Sequence, residues 1–263
     1  WISTDAGGTR PFRRFQAHVH RKFNILPSPL RVSPQRFSNF QTTGHVSWAT
    51  YSRFLIAELL PEETSEVLYL DSDLVVIDSI RDAVNVSWPD NENVVIRAVA
   101  GDSGAHLTPF GFSSNSYFNA GVLLINLKRW RKLDTQTQLL ETAERLAGKL
   151  HLWDQDVLNL VLEDRWESMP RSFNETSRGL PNTDTRVVHF VGGLKPWMVG
   201  ADRIERSLYN RYRSETPFWP YLPSQLGHFV AKKILPKALR KPGKSLRRQR
   251  RRLARLFGAS SSN

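Results

Sequence analysis

Two aspartates one residue apart, Asp71 and Asp73, interrupt what otherwise reads as one buried strand. The apolar run Val67-Leu68-Tyr69-Leu70 precedes them and Leu74-Val75-Val76-Ile77 follows. An ionised carboxylate inside such a run is costly unless it is paired or bound to a metal. The economical reading ends the strand here, at the rim of a sheet, where acids can hold a hard divalent cation against phosphate oxygens. A cation so placed would offset charge building on a phosphate leaving group. The Asp-x-Asp triplet is weak by itself, because solvated acids in turns are common. Apolar flanks on both sides argue against a plain surface turn.

Three further phrases carry possible chemistry. The first is Val187-Val188-His189-Phe190-Val191-Gly192-Gly193-Leu194-Lys195. A histidine ending a strand is either a satisfied core residue or a ligand. Gly192-Gly193 permits close approach of backbone to a ligand, and Lys195 supplies a point charge suited to phosphate. An imidazole beside two carboxylates suits Mn²⁺ better than Mg²⁺. The second is Asp154-Gln155-Asp156, ahead of the apolar pair Val157-Leu158. It reads equally as a helix N-cap with dipole-favoured acids or as polar groups at a helix mouth that hold sugar hydroxyls. The third, Phe118-Asn119-Ala120-Gly121, is either a turn or an amide offered to a donor sugar, with small residues leaving room.

The elements that must position these residues are visible as periodicities. Tyr51, Leu55 and Leu59, with Phe54 beside them, predict an amphipathic helix over 49–60, stopped by Pro61. Short apolar runs predict strands over 66–70, 94–99, 121–127 and 187–191. Leu139, Ala143, Leu146 and Leu150 predict a helix over 136–150; Asp154 can cap one running to about Glu163, and Asp202 one carrying Ile204, Leu208 and Tyr212. Strands alternating with helices indicate an α/β sandwich around a largely parallel sheet, which binds ligands beyond the carboxyl ends of its strands. Residues 1–46 show no clean periodicity.

Composition narrows the class. Cys is 0, which excludes disulfide frameworks and thiolate metal sites and fits a reducing compartment. No apolar run approaches the roughly 20 residues of a spanning helix. The net charge of +12 resides in residues 229–263, which hold 12 of the 37 basic residues and no acid; elsewhere, basic and acidic residues balance. A neutral body with a basic tail indicates an attached docking element rather than a nucleic-acid enzyme. Leu246, Leu253, Leu256 and Phe257 fall near one helical face among arginines, the pattern of a basic amphipathic helix. Nucleic-acid binding is disfavoured, because no stacking aromatic array accompanies the arginines. Asn85-Val86-Ser87 and Asn174-Glu175-Thr176 match the glycosylation sequon and are read as chance.

Five phrases in order resemble glycosyltransferase family 8, which includes bacterial lipopolysaccharide galactosyl- and glucosyltransferases. They are Ala49 to Arg53, Val67 to Asp73, Tyr117 to Leu127, Trp153 to Asn159 and His189 to Trp197. The resemblance covers about residues 45–200. It implies a GT-A fold, an α/β/α sandwich with a mostly parallel central sheet. It also implies retaining transfer of galactose or glucose from a UDP-sugar to a glycan or glycolipid such as lipopolysaccharide core. By that resemblance Asp71, Asp73 and His189 would hold Mn²⁺, with Mg²⁺ as the alternative. Gly192 and Lys195 would contact the phosphates, and Arg53, Ser72, Asn119, Ala120 and Gly121 the donor. Asp154 and Gln155 would lie beside the transferred sugar, with Gln155 where a nucleophile would stand. An amide is a poor nucleophile, which favours front-face attack; Asp156 is the alternative nucleophile of a double displacement, and both routes stay open. Nothing in residues 1–46 matches the family's opening apolar strand with its acid. The expected organisation is therefore an irregular or truncated segment over 1–46, a catalytic domain over 47–225 and a membrane-association tail over 226–263. The tail would meet an anionic surface at the cytoplasmic face of a bacterial membrane. The competing reading is a non-catalytic sugar-nucleotide or membrane-binding remnant.

Overall fold

A computed structural model describes residues 2–3, 9–40, 48–101, 104–113, 117–176 and 181–218. The predicted tail over 226–263 lies outside the described residues.

Within the segment expected to be irregular, residues 2–3 and 9–40 contain regular elements. Strand β1 (Ile2–Ser3) pairs in parallel with β2 (Leu30–Arg31). Between them runs α1 (Arg10–Phe23), where the sequence suggested irregularity. The Thr9 hydroxyl accepts from Phe12 N, a proline stands in the first turn, and Asn24 closes the helix in the left-handed region at φ 54°. Start and stop signals are both present. Phe12, Phe15, Val19 and Phe23 stand at helical spacing, a signal missed among the surrounding arginines and histidines; of the helix, Phe12 alone is buried.

The predicted helix over 49–60 is a 3₁₀ segment, Trp48–Leu55, continued by α2 (Ile56–Leu59). Tyr51, Phe54 and Leu55 are buried in the main core, as their spacing requires. Strands β3 (Glu66–Leu70) and β4 (Leu74–Val76) flank the acid pair. After α3 (Arg81–Val84) come β5 (Ile96–Ala100), β6 (Phe118–Asn126), α4 (Leu127–Lys132), α5 (Thr135–Arg145) and α6 (Trp153–Val161). Strands β7 (Trp166–Met169) and β8 (Val187–His189) and helix α7 (Arg203–Arg213) follow.

The central sheet has the order β3-β6-β5-β7 and is mixed. β6 runs antiparallel to both neighbours, and the β5–β7 pair is parallel. The α/β class stands; the expectation of a mostly parallel sheet is corrected. Alternation of helix and strand cannot reveal that the excursion between β5 and β6 returns the chain alongside rather than across. Phe118, Ala120, Leu123 and Ile125 face the main core with the helices; Val122 and Leu124 face a second core with Met169, Phe173 and Val187.

One arginine ties this scaffold to the segment that feeds β3. The Arg131 guanidinium donates to the carbonyls of Ala57, Leu60, Pro61, Glu62 and Thr64. Arg131→Met removes charge-assisted bonds to several acceptors at once. It is expected to cost about 2 kcal/mol and to lower the thermal midpoint by about 5 °C, read by circular dichroism.

Candidate active site

Strand register brings the first three residues together. In the antiparallel pair β4–β8, Leu74 lies opposite His189, and Phe190 N donates to Asp73 O at 2.9 Å. His189 is thereby set beside Asp73 despite the long separation in sequence. On the other side Leu70 pairs with Val122, and Asp71 N donates to Gly121 O at 2.9 Å. The ring of His189 lies across this junction. Its Nε2 is 3.2 Å from Asp73 Oδ1 and 3.9 Å from Asp71 Oδ2. One ligand atom from each residue lies within 4.8 Å of the others. Two carboxylate oxygens and an imidazole nitrogen suit a divalent cation of hard to borderline character, so the residues present fit a metal.

A disruption in β6 shapes the floor. Ala98 pairs with Leu123, but Val99 pairs with Asn119, so residues 120–122 stand opposite no residue of β5. Such irregularities re-aim backbone groups near active sites. The freed Ala120 N–H donates to Gln155 Oε1 at 3.0 Å, and Ala120 O accepts from Arg53 at 2.6 Å. At Gly121 the absence of a side chain makes room for the His189 ring, which a Cβ there would overlap. Gly121→Ala is expected to displace the ring and weaken Mn²⁺ binding at least about tenfold, read by titration of free Mn²⁺ with electron paramagnetic resonance.

Arg53 is 7% exposed and bridges two acids, with NH2 2.8 Å from Asp71 Oδ1 and Nε 2.9 Å from Asp154 Oδ2. Its guanidinium stacks over Tyr69 at 4.5 Å, and Tyr69 OH donates to Asp71 Oδ1 at 2.7 Å. Burial acts to neutralise Arg53, but Asp154 and Asp71 overcome it and hold the proton more tightly than in water. Burial raises Tyr69 above the ordinary phenol range, so it remains a donor. Asp154 is 5% exposed and accepts from Thr50 Oγ1 at 2.5 Å. Burial raises its pKa, with Arg53 and Thr50 opposing. Asp154 lies in the first turn of α6, and Leu152 occupies the cap position that the sequence assigned to Asp154. Trp153, immediately before Asp154, sits at φ 48°, a strained conformation for a bulky residue.

Gln155 and Asp156 have different surroundings. The Gln155 amide is held at both ends: Oε1 by Ala120 N–H, and Nε2 donating to Tyr117 OH at 3.0 Å. Asp156 is fully buried. Its Oδ1 accepts from Tyr117 OH and faces His106 Nε2, both at 2.8 Å; its Oδ2 accepts from the backbone N–H groups of His151 and Leu152. Burial and Asp156 raise the Tyr117 phenol, keeping it protonated. Asp156 is thus the anchor of a hydrogen-bonded network. A nucleophilic role would require it to break these contacts.

Lys195 reaches Asp73 Oδ2 at 2.5 Å and Phe190 O at 2.6 Å. Burial opposes ionisation of Asp73, but His189 and Lys195 hold its carboxyl well below the usual carboxylate range. Ser72 is exposed between the two acids. Gly192 adopts φ 84°, which accounts for a glycine there. Asn119 Oδ1 accepts from Gly121 N at 2.9 Å and from Asn174 at 2.8 Å. Sequence reasoning assigned no role to Thr50, Tyr69, His106, Tyr117 or Asn174. Thr50, Tyr69 and Tyr117 lie within the family-like phrases, whereas His106 and Asn174 lie outside them. Asn174 is 1% exposed, so its sequon is closed to modification in the folded chain.

Comparison with known proteins agrees with this geometry. The fold is GT-A: it matches the galactosyltransferase LgtC in complex with donor and acceptor sugar analogs at a TM-score of 0.70 and 24% identity, covering 86% of this chain and 87% of that one. The profile of glycosyl transferase family 8 matches residues 9–200, and the chain belongs to that family. A lipopolysaccharide 1,3-galactosyltransferase of Salmonella typhimurium is 31% identical over 217 residues, 74% of this chain and 63% of that protein. A lipopolysaccharide 1,2-glucosyltransferase of Escherichia coli is 27% identical over 224 residues, 78% of this chain and 63% of that protein. A probable glycosyl transferase of Streptococcus gordonii is 28% identical over 230 residues, 82% of this chain and 31% of that protein. The chain thus spans less than two thirds of the length of each of these relatives. Among the described residues, no helix is long and apolar enough to cross a membrane.

Proposed function

We propose that the chain is a retaining hexosyltransferase that moves galactose or glucose from a UDP-sugar to a glycan or glycolipid acceptor such as lipopolysaccharide core. The observation that carries the reading is the convergence of Asp71, Asp73 and His189 at the ends of β3, β4 and β8. These residues would hold a divalent cation, Mn²⁺ by preference because one ligand is an imidazole. When bound, the cation offsets the negative charge that builds on the departing diphosphate.

The protein residues perform the rest. Lys195, beside Asp73, adds a positive charge where phosphate oxygens would lie. Arg53 cross-links Asp71 to Asp154 and so fixes the cation site relative to the sugar site. Gln155, pinned by Ala120 and Tyr117, offers a fixed amide at the face of the transferred sugar. Its fixed dipole can stabilise positive charge at the reacting carbon without reorganisation. The burial and full occupancy of Asp156 favour front-face attack over double displacement through that residue. The proton of the acceptor hydroxyl would then pass to the departing diphosphate oxygen. The basic residues between 229 and 263 would hold the enzyme at an anionic membrane surface, each contributing about 1 kcal/mol near it.

The test supplies UDP-galactose and UDP-glucose to the purified chain, with Mn²⁺ and then with chelator. Expected are release of UDP from one donor, loss of release on chelation and recovery on adding Mn²⁺. A donor whose turnover is indifferent to chelation overturns the metal assignment. UDP-sugar binding without any turnover supports the non-catalytic alternative.

A further inference from the structure

We propose that Asn174 is a positioning residue that holds hydrogen on Nδ1 of His189, so that in the neutral ring Nε2, the nitrogen facing the acid pair, is the one open to a cation. The inference rests on the reading of His189 as a metal ligand and adds to it a residue outside all the motifs that suggested the site.

Donors and acceptors behind the ring form a chain anchored on a group that has one role. A backbone N–H can only donate. Gly121 N–H points at the Asn119 side chain at 2.9 Å, so the Asn119 atom there is the carbonyl oxygen. The same oxygen lies 2.8 Å from the Asn174 amide, so Asn174 must turn its NH₂ toward it. The Asn174 oxygen is then left to face His189 Nδ1, 3.0 Å away. Nδ1 must carry the hydrogen. Side-chain amide orientation and histidine tautomer are fixed by such networks, and here each step has one solution. The remaining nitrogen, Nε2, is the atom 3.2 Å from Asp73 Oδ1.

The backbone explains why Asn174 stands there. Glu175 bridges in parallel to Val188, with Glu175 N donating to Val187 O and His189 N donating to Glu175 O. The segment therefore runs alongside β8 and carries Asn174 to the back of the ring. Asn174 is 1% exposed and His189 6%, so water does not compete for Nδ1. A histidine ligand whose far nitrogen donates to a fixed acceptor is held in one orientation and made more basic. The same logic turns the Asn119 NH₂ away from Gly121 and Asn174, since its oxygen is committed to both.

The test compares the protein with Asn174→Leu and Asn174→Asp, using Mn²⁺ alone as the probe. Folding of each is checked by circular dichroism. In the unsubstituted protein, long-range ¹⁵N–¹H correlation of the neutral ring is expected to show hydrogen on Nδ1. Asn174→Leu is expected to populate both tautomers and to weaken Mn²⁺ binding about 10- to 100-fold. Asn174→Asp keeps an acceptor facing Nδ1 and is expected to retain the tautomer, with affinity restored relative to the leucine variant. A neutral ring with hydrogen on Nε2 and none on Nδ1 in the unsubstituted protein overturns the inference, as does unchanged Mn²⁺ affinity in a folded leucine variant. If the leucine variant does not fold, the tautomer in the unsubstituted protein decides alone. The metal reading fails separately, if the unsubstituted protein binds no Mn²⁺ or if Asp73→Ala leaves binding unaltered.

Discussion

Asp73→Ala is expected to lower hexosyl transfer by about three powers of ten and to abolish measurable Mn²⁺ binding. A metal acting on a phosphate leaving group supplies several kcal/mol of charge stabilisation, and each 1.4 kcal/mol is about tenfold in rate. Asp73 is the acid nearest His189 and the partner of Lys195, so its removal strips the site of a ligand and leaves two basic groups facing each other. Steady-state UDP release at saturating donor is the measurement, with circular dichroism to show that β4 and β8 still pair. A loss of only a few-fold would mean that the carboxylate is structural. Asp73→Asn separates charge from shape: it keeps the side-chain volume and should lose nearly as much, because an amide cannot match a carboxylate toward a divalent cation.

The second large effect is on stability rather than rate. Arg53→Met is expected to destabilise the fold by about 3–5 kcal/mol, because it leaves Asp154 buried without its cation. Asp154 is 5% exposed and Arg53 7%, with Nε and Oδ2 2.9 Å apart. Arg53→Lys would not rescue it. A single ammonium cannot serve Asp71, Asp154 and the Ala120 carbonyl together, as the guanidinium fork does. The pH dependence carries a sign. Burial already raises the Asp154 pKa above the usual carboxylate value, with Arg53 holding it down. Without Arg53 it rises further. A group whose folded pKa is raised favours the fold below its unfolded pKa, and that contribution is lost as pH rises through the folded one. The variant should therefore approach the unsubstituted protein in stability as pH falls through the carboxylate range and diverge from it toward neutrality. Urea midpoints measured across that range would show it. A constant difference would mean that Asp154 is not the group left unpaired.

Much of the site was legible because its chemistry is written in short phrases. The acids at the end of an apolar run, the histidine ending another and the lysine after two glycines are each local patterns. Their flanks fix strand ends by the cost of burying charge. The anchoring of the 3₁₀ segment and α2 by Tyr51, Phe54 and Leu55 follows from spacing alone. By contrast, α1 escaped although Phe12, Phe15, Val19 and Phe23 recur at helical spacing, because arginines and histidines surround them and only Phe12 is buried. The direction of the central strands escaped because alternation of types says nothing about how long connections return.

The sequence by itself determined the inventory: the types of group at the site, the order of the elements and the family to which they belong. The tertiary structure alone decided the partnerships. Gly121 lies under a histidine ring, Arg53 spans two acids, Asp156 is consumed by four donors, and Asn174 stands behind His189. The contacts of Gly121, Arg53 and Asn174 depend on register between distant strands or on the three residues of β6 that skip pairing with β5, and those of Asp156 on loops that meet the start of α6. Alternation along a strand decides which of its faces is buried, but which distant strand lies beside it is settled only when the elements pack together.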